Sequence, residues 1–143
     1  MLRFVGTTII DRFIPEVDET SLVITVTDKF LEKKNFPIFN AKRFEQIVKN
    51  NLEKHPEIDG VVFVGGEKDP NDMFVLAYDF KMKHPNLTIG WFTEYNKIVE
   101  IYMSDLFDYI RVAGTDNNSK VYGFEAGSLR VITKEGNQEM DDV

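Results

Sequence analysis

The chain contains no cysteine. That absence excludes disulfides, thiolate zinc sites, thiol nucleophiles and iron–sulfur clusters held by cysteine. Basic residues are also short: 17 Lys and Arg stand against 24 Asp and Glu, for a formal net charge of -7 and a pI near 4.8. Without a basic stripe to displace counterions from a phosphate backbone, the composition argues against nucleic acid as a partner. Long apolar runs are missing, so no segment is long enough to span a bilayer, and the N-terminus lacks the charged, apolar and small-residue regions of a signal peptide. The expectation is a soluble, cytoplasmic protein with no membrane partner. No linker or low-complexity segment divides the sequence.

What is present is the material of one packed domain. The 143 residues are 43% hydrophobic and include 12 Phe, enough to bury a core. Leu22 to Thr27, "LVITVT", is β-rich and reads as the first core strand. From Ala41 to Lys54 the apolar residues Phe44, Ile47, Val48 and Leu52 recur at helical spacing, with Asn40 as cap and "HPE" as the stop. A strand from Gly60 to Val64 follows, then a helix from Pro70 to Lys83 with Met73, Leu76, Ala77 and Phe80 on its inner stripe. Leu87 to Phe92 reads as a strand, Ile98 to Leu106 as a short helix, Tyr109 to Ala113 as a strand, "GTDNNSK" as a loop and "LRVIT" as a last strand. The expected fold is a single α/β domain over residues 1-134, with a mostly parallel sheet of about five strands built by βαβ crossovers. An acidic tail, residues 135-143, is expected to fray.

The most informative stretch is "VVFVGGEKDP", Val61 to Pro70. Four apolar residues in a row suit a strand covered on both faces. Gly65 and Gly66 allow a sharp turn or a close approach of the backbone to a ligand. Asp69 and Pro70 are good residues for a helix start. The turn thus falls at the carboxyl end of a strand, where open α/β sheets bind ligands. The glycines read equally as a tight strand end, and Glu67 as a solvated acid favoured near a helix N-terminus.

Several short motifs, in order, resemble the radical S-adenosylmethionine activating enzymes, most closely the activating proteins of anaerobic ribonucleoside-triphosphate reductases. In that family a Gly-Gly-Glu motif after a strand holds the amino group of S-adenosylmethionine; here Gly65-Gly66-Glu67 stands in that place. A Thr-Gly-Tyr element after the next strand is matched by Thr93 and Tyr95, with Glu94 in place of glycine. "FDYIRVAG" and "AGSLRVI" resemble two later family segments, with Gly127, Ser128 and Arg130 carried over and an Asn-Gln pair missing. The resemblance implies an incomplete-barrel fold, an S-adenosylmethionine pocket at Gly65, Gly66, Glu67, Thr93 and Tyr95, and a glycyl-radical enzyme as partner. In the family, the loop after the first strand carries the Cys-x3-Cys-x2-Cys of a 4Fe-4S cluster. Here that loop reads "VTDKFLEKKNFP". Carboxylates and ammonium groups do not replace soft thiolates at such a cluster. The expected protein is therefore a degenerate relative without catalytic residues or a 4Fe-4S cofactor, acting as a binding or regulatory module, with at most weak S-adenosylmethionine binding.

Other readings stand beside this one. Asp28, Glu32, Glu67 and Asp69 could form an oxygen-ligated site for magnesium or calcium, which would make the cleft a repurposed enzyme. A purely structural or interaction protein, its cleft filled by its own side chains, is the third reading. His55 and His84, each before a proline at a helix end, read as cap residues. Ser128 has no His in its segment and does not read as a nucleophile.

Overall fold

In the computed structural model, residues 2–28, 35–93, 106–113, 120–125, 128–133 and 136–139 are described. Eight strands form one sheet in sequential order: β1 (Arg3–Asp11), β2 (Thr20–Thr27), β3 (Gly60–Val64), β4 (Thr88–Thr93), β5 (Tyr109–Val112), β6 (Lys120–Glu125), β7 (Ser128–Thr133) and β8 (Gly136–Glu139). Two helices, α1 (Ala41–Lys54) and α2 (Pro70–Lys83), follow β2 and β3. The strands β2 to β5 are parallel neighbours. The pairings β1/β2, β5/β6, β6/β7 and β7/β8 are antiparallel. The sheet is therefore mixed and wider than expected, which corrects the mostly parallel, five-stranded reading. Sequence pattern marks a buried strand well but does not say which neighbour it pairs with, or in which direction.

The helices form where the apolar spacing places them. Asn40 caps α1, its Oδ1 accepting from Arg43 N at 2.9 Å, and His55 N–H closes the other end on Asn51 O. Asp69 precedes α2, with Pro70 in its first turn, but makes no side-chain cap bond. Both helices pack on the same sheet face, where Leu22, Ile24, Val61, Phe63, Ile89 and Trp91 point. Phe44 is the hinge of this core, with ring centroids 5.1 Å from Phe63 and 5.3 Å from Phe80. Alternate residues Val62, Tyr109 and Val121 face the other way, and Ile14, from the segment joining β1 to β2, is buried against them. The apolar run of β3 is thus covered on both sides.

The Ile98 to Leu106 helix expected from the sequence lies outside the described residues except Leu106, which stands in the turn before β5. Within the tail, Gly136–Glu139 pairs antiparallel with β7 as β8. The segment Pro37 to Phe39 runs along the start of β1: Phe4 N donates to Pro37 O at 2.8 Å and Phe39 N to Leu2 O at 2.9 Å. This strap carries Leu2 and Phe39 into the core at the carboxyl edge of the parallel strands.

Candidate functional site at the carboxyl edge

Gly65 and Gly66 end β3 with φ of +96° and +78°. Both angles lie in the left-handed region where an L side chain is strained. Space is as restrictive as angle. A Cβ on Gly65 would come within 2.2 Å of Val26 O, and one on Gly66 within 2.9 Å of Met73 Sδ, 3.1 Å of Leu2 Cδ2 and 3.2 Å of Val26 Cγ2. The turn leans on β2, α2 and the N-terminal residues.

Three hydrogen bonds fasten it. Trp91 Nε1 donates to Gly65 O at 2.8 Å. Lys68 N donates to Asp28 Oδ2, just past β2, at 2.7 Å. Asp69 N donates to Gly66 O at 3.2 Å. Two carbonyls of the turn are therefore engaged by the protein. Glu67 is half-buried and makes no hydrogen bond or ion pair among the described residues. Its carboxylate remains available at this edge.

Thr93 ends β4 beside this turn, since Val64 and Phe92 are the last paired residues of β3 and β4. It is fully buried, and its carbonyl accepts from Ala113 N at 2.9 Å. The structure thus brings Gly65, Gly66, Glu67 and Thr93 to one edge. Tyr95 lies outside the described residues, as do Gly127 and Glu32; Ser128 and Arg130 are described only as backbone of β7. Of the proposed oxygen ligands, Asp28 is occupied by Lys68 N. Among the described residues no three His, Asp or Glu side chains gather closely enough to hold a metal ion.

At the start of α1 on the same edge, a shallow depression of about 310 Å³ is lined by Ile38, Asn40, Lys42, Arg43 and Gln46. The two histidines lie at the far ends of the helices. His84 Nε2 meets Glu45 of α1 at 2.9 Å, and His55 Nδ1 meets Glu57 at 3.1 Å.

The strongest electrostatic perturbations sit at the opposite, amino edge of the sheet. Burial raises the pKa of Glu19, aided by the charges of Asp59 and Asp108 and opposed by a hydrogen bond from Thr88. Thr88 Oγ1 donates to Glu19 Oε2 at 2.6 Å. Burial also pushes up the Tyr109 phenol, with the charge of Glu19 adding to it. That hydroxyl reaches no partner at hydrogen-bonding geometry, although the Ser21 hydroxyl is near enough to oppose the rise weakly. Asp108 ties this edge together, accepting from Ile89 N at 2.8 Å and pairing with Lys81 of α2.

Sequence reasoning found the glycines and missed what closes on them. Nothing local in the sequence ties Trp91 or Leu2 to this turn, and the Asp28–Lys68 contact joins residues 40 apart in the chain. The sole local hint was the placement of Asp28 directly after the β-rich run. No helix among the described residues is long and apolar enough to cross a membrane. No family model, curated protein or solved structure matches the chain.

Proposed function

We propose that this chain is a non-catalytic binding or regulatory module, a cluster-less relative of the radical S-adenosylmethionine activating proteins, with a glycyl-radical enzyme as its partner. The observation that carries the non-catalytic part is the closure of the glycine turn from inside. The space beside Gly66 is taken by Met73, Leu2 and Val26, and Gly65 O is taken by Trp91. The lack of any cysteine supports the same reading, because reductive cleavage of S-adenosylmethionine needs an electron from a thiolate-held cluster. The kinship and the partner rest on the motif order Gly65-Gly66-Glu67, Thr93, "FDYIRVAG" and "AGSLRVI". The closed turn also favours a second reading, in which the protein acts only through its surfaces and binds no small molecule at this edge.

Anoxic reconstitution with iron and sulfide, followed by calorimetry with S-adenosylmethionine, tests the proposal. The protein is expected to stay colourless. A retained pocket would give a dissociation constant on the order of a millimolar, weakened further in Glu67→Ala. No heat at all would favour the surface-only reading. A stable cluster absorbance with stoichiometric iron, or micromolar binding indifferent to Glu67, would overturn the non-catalytic assignment. Co-purification with an anaerobic reductase, present or absent, decides the partner separately.

A further inference from the structure

The two helices belong to one sheet face but treat solvent differently. On α1 the outward positions Lys42, Gln46, Lys49 and Glu53 are all polar and exposed. On α2 the outward stripe runs from Asn71 to Val75, Tyr78 and Met82, the last three being 64%, 58% and 69% exposed. At about 100° per residue these three lie directly opposite the buried stripe of Met73, Leu76, Ala77 and Phe80. They are the most exposed large apolar side chains among the described residues; the others, Val5 and Ile38, stand apart on β1 and the strap. After Asn71 in the first turn the outer stripe of α2 is apolar, and a contiguous exposed apolar patch of this kind marks a contact surface.

We propose that the outer face of α2 is a self-association surface, on which α2 of a second copy of this chain packs antiparallel about a two-fold axis near Tyr78. The helix's charge distribution points to a copy in that orientation. Its first turn carries Asp72, preceded by Asp69, and its last turn carries Lys81 and Lys83. Antiparallel packing lays the acidic start of one helix along the basic end of the other and opposes the two helix dipoles. A parallel arrangement would set like charges side by side. Lys83 also pairs with Asp79, and Lys81 with Asp108, so these charges orient the contact while the apolar ridge drives it. The ridge is close to its own mirror in order: the two-fold sets Val75 against Met82 of the second copy and Tyr78 near Tyr78, an isologous contact with one aromatic anchor at its centre. One helix face is a small interface, so the dissociation constant is expected on the order of 10 to 100 μM.

The absence of native cysteine makes the geometry testable by cross-linking. Sedimentation equilibrium of the full chain should show a monomer–dimer exchange, and Tyr78→Glu should raise the dissociation constant by about tenfold or more without lowering the melting temperature of the dilute monomer. Under mild oxidation Tyr78→Cys should form a disulfide-linked dimer. A mixture of Val75→Cys and Met82→Cys chains should give the mixed dimer in preference to either homodimer. A monomer up to millimolar concentration would overturn the proposal, whether the ridge is bare, covered by residues 94–105 or reserved for another protein. A dimer indifferent to Tyr78→Glu would place the contact elsewhere, and homodimers of Val75→Cys in place of mixed ones would refute the antiparallel arrangement.

Discussion

Trp91 on β4 donates its indole N–H to the carbonyl oxygen of Gly65 at the end of β3, 2.8 Å away. The side chain that fills the centre of the helix-side core is thus also a fastening of the carboxyl-edge turn. Its ring stacks on Phe107 at 5.3 Å and meets Phe74 edge-on at 6.2 Å. Trp91→Phe keeps an aromatic ring but leaves the Gly65 carbonyl without its donor. A loss of roughly 1–3 kcal/mol is expected from the orphaned acceptor alone. Urea titration measures it, and an unchanged midpoint would mean that the bond contributes nothing.

Alanine at the two glycines should not be equivalent. At Gly65 the added carbon meets the Val26 backbone carbonyl, which cannot swing aside, at a φ already unfavourable to alanine. At Gly66 the nearest atom is Met73 Sδ, on a flexible side chain, and no backbone atom stands as close. Gly66→Ala should cost about 1–2 kcal/mol and Gly65→Ala more, to the point of poor folding. Equal midpoints for the two variants, or a Gly65→Ala protein as stable as wild type, would contradict this ranking.

Asp108 serves two elements at once, Ile89 N on β4 and Lys81 on α2. Both partners lose their acceptor in Asp108→Ala. Because the Lys81 pair is partly solvated, the expected cost of about 1–2 kcal/mol comes mainly from the strand N–H. Lys81→Met, which removes only the ion pair, should cost less than half as much in the same denaturation assay.

Glu19 gives a pH prediction with a definite sign. Its folded pKa is raised above the ordinary carboxylate value by burial, so below the unfolded value its burial carries no charge penalty, and stability falls as pH rises through the folded pKa. Glu19→Gln cannot ionise and can still accept from Thr88. It should therefore melt higher than wild type at pH 7, with the difference shrinking toward pH 4. A gap that widens on acidification would reverse the sign and refute the buried-acid account.

How far this fold could be read in advance depends on where each signal lives. The bounds of α1 and α2 were legible because the apolar spacing, Asn40, Pro70 and the two His-Pro stops all lie within the segments themselves. The strand Gly60–Val64 was legible because burial on both faces leaves an uninterrupted apolar run. β1 was not, because its edge position leaves mixed polar and apolar residues, and its bulge between Phe4 and Gly6 breaks the alternation. β6 and β8 escaped notice because nothing local in "KVYGFE" or "GNQE" announces an antiparallel partner. At the site, the strand-end glycines were visible as residues, but not their need. That need is set by Val26, Met73, Leu2 and Trp91, which reach the turn only after β2, α2, the N-terminus and β4 have assembled.

The sequential strand order has a consequence for how the chain can be made. Every strand from β2 to β8 pairs with the one synthesised just before it. A growing chain leaving the ribosome therefore always extends the sheet at its free margin, and no late strand has to wedge between two already joined. Of the side chains that crowd Gly66, Leu2 and Val26 precede it in the chain and Met73 follows on the next helix, so the space beside Gly66 closes as soon as α2 forms.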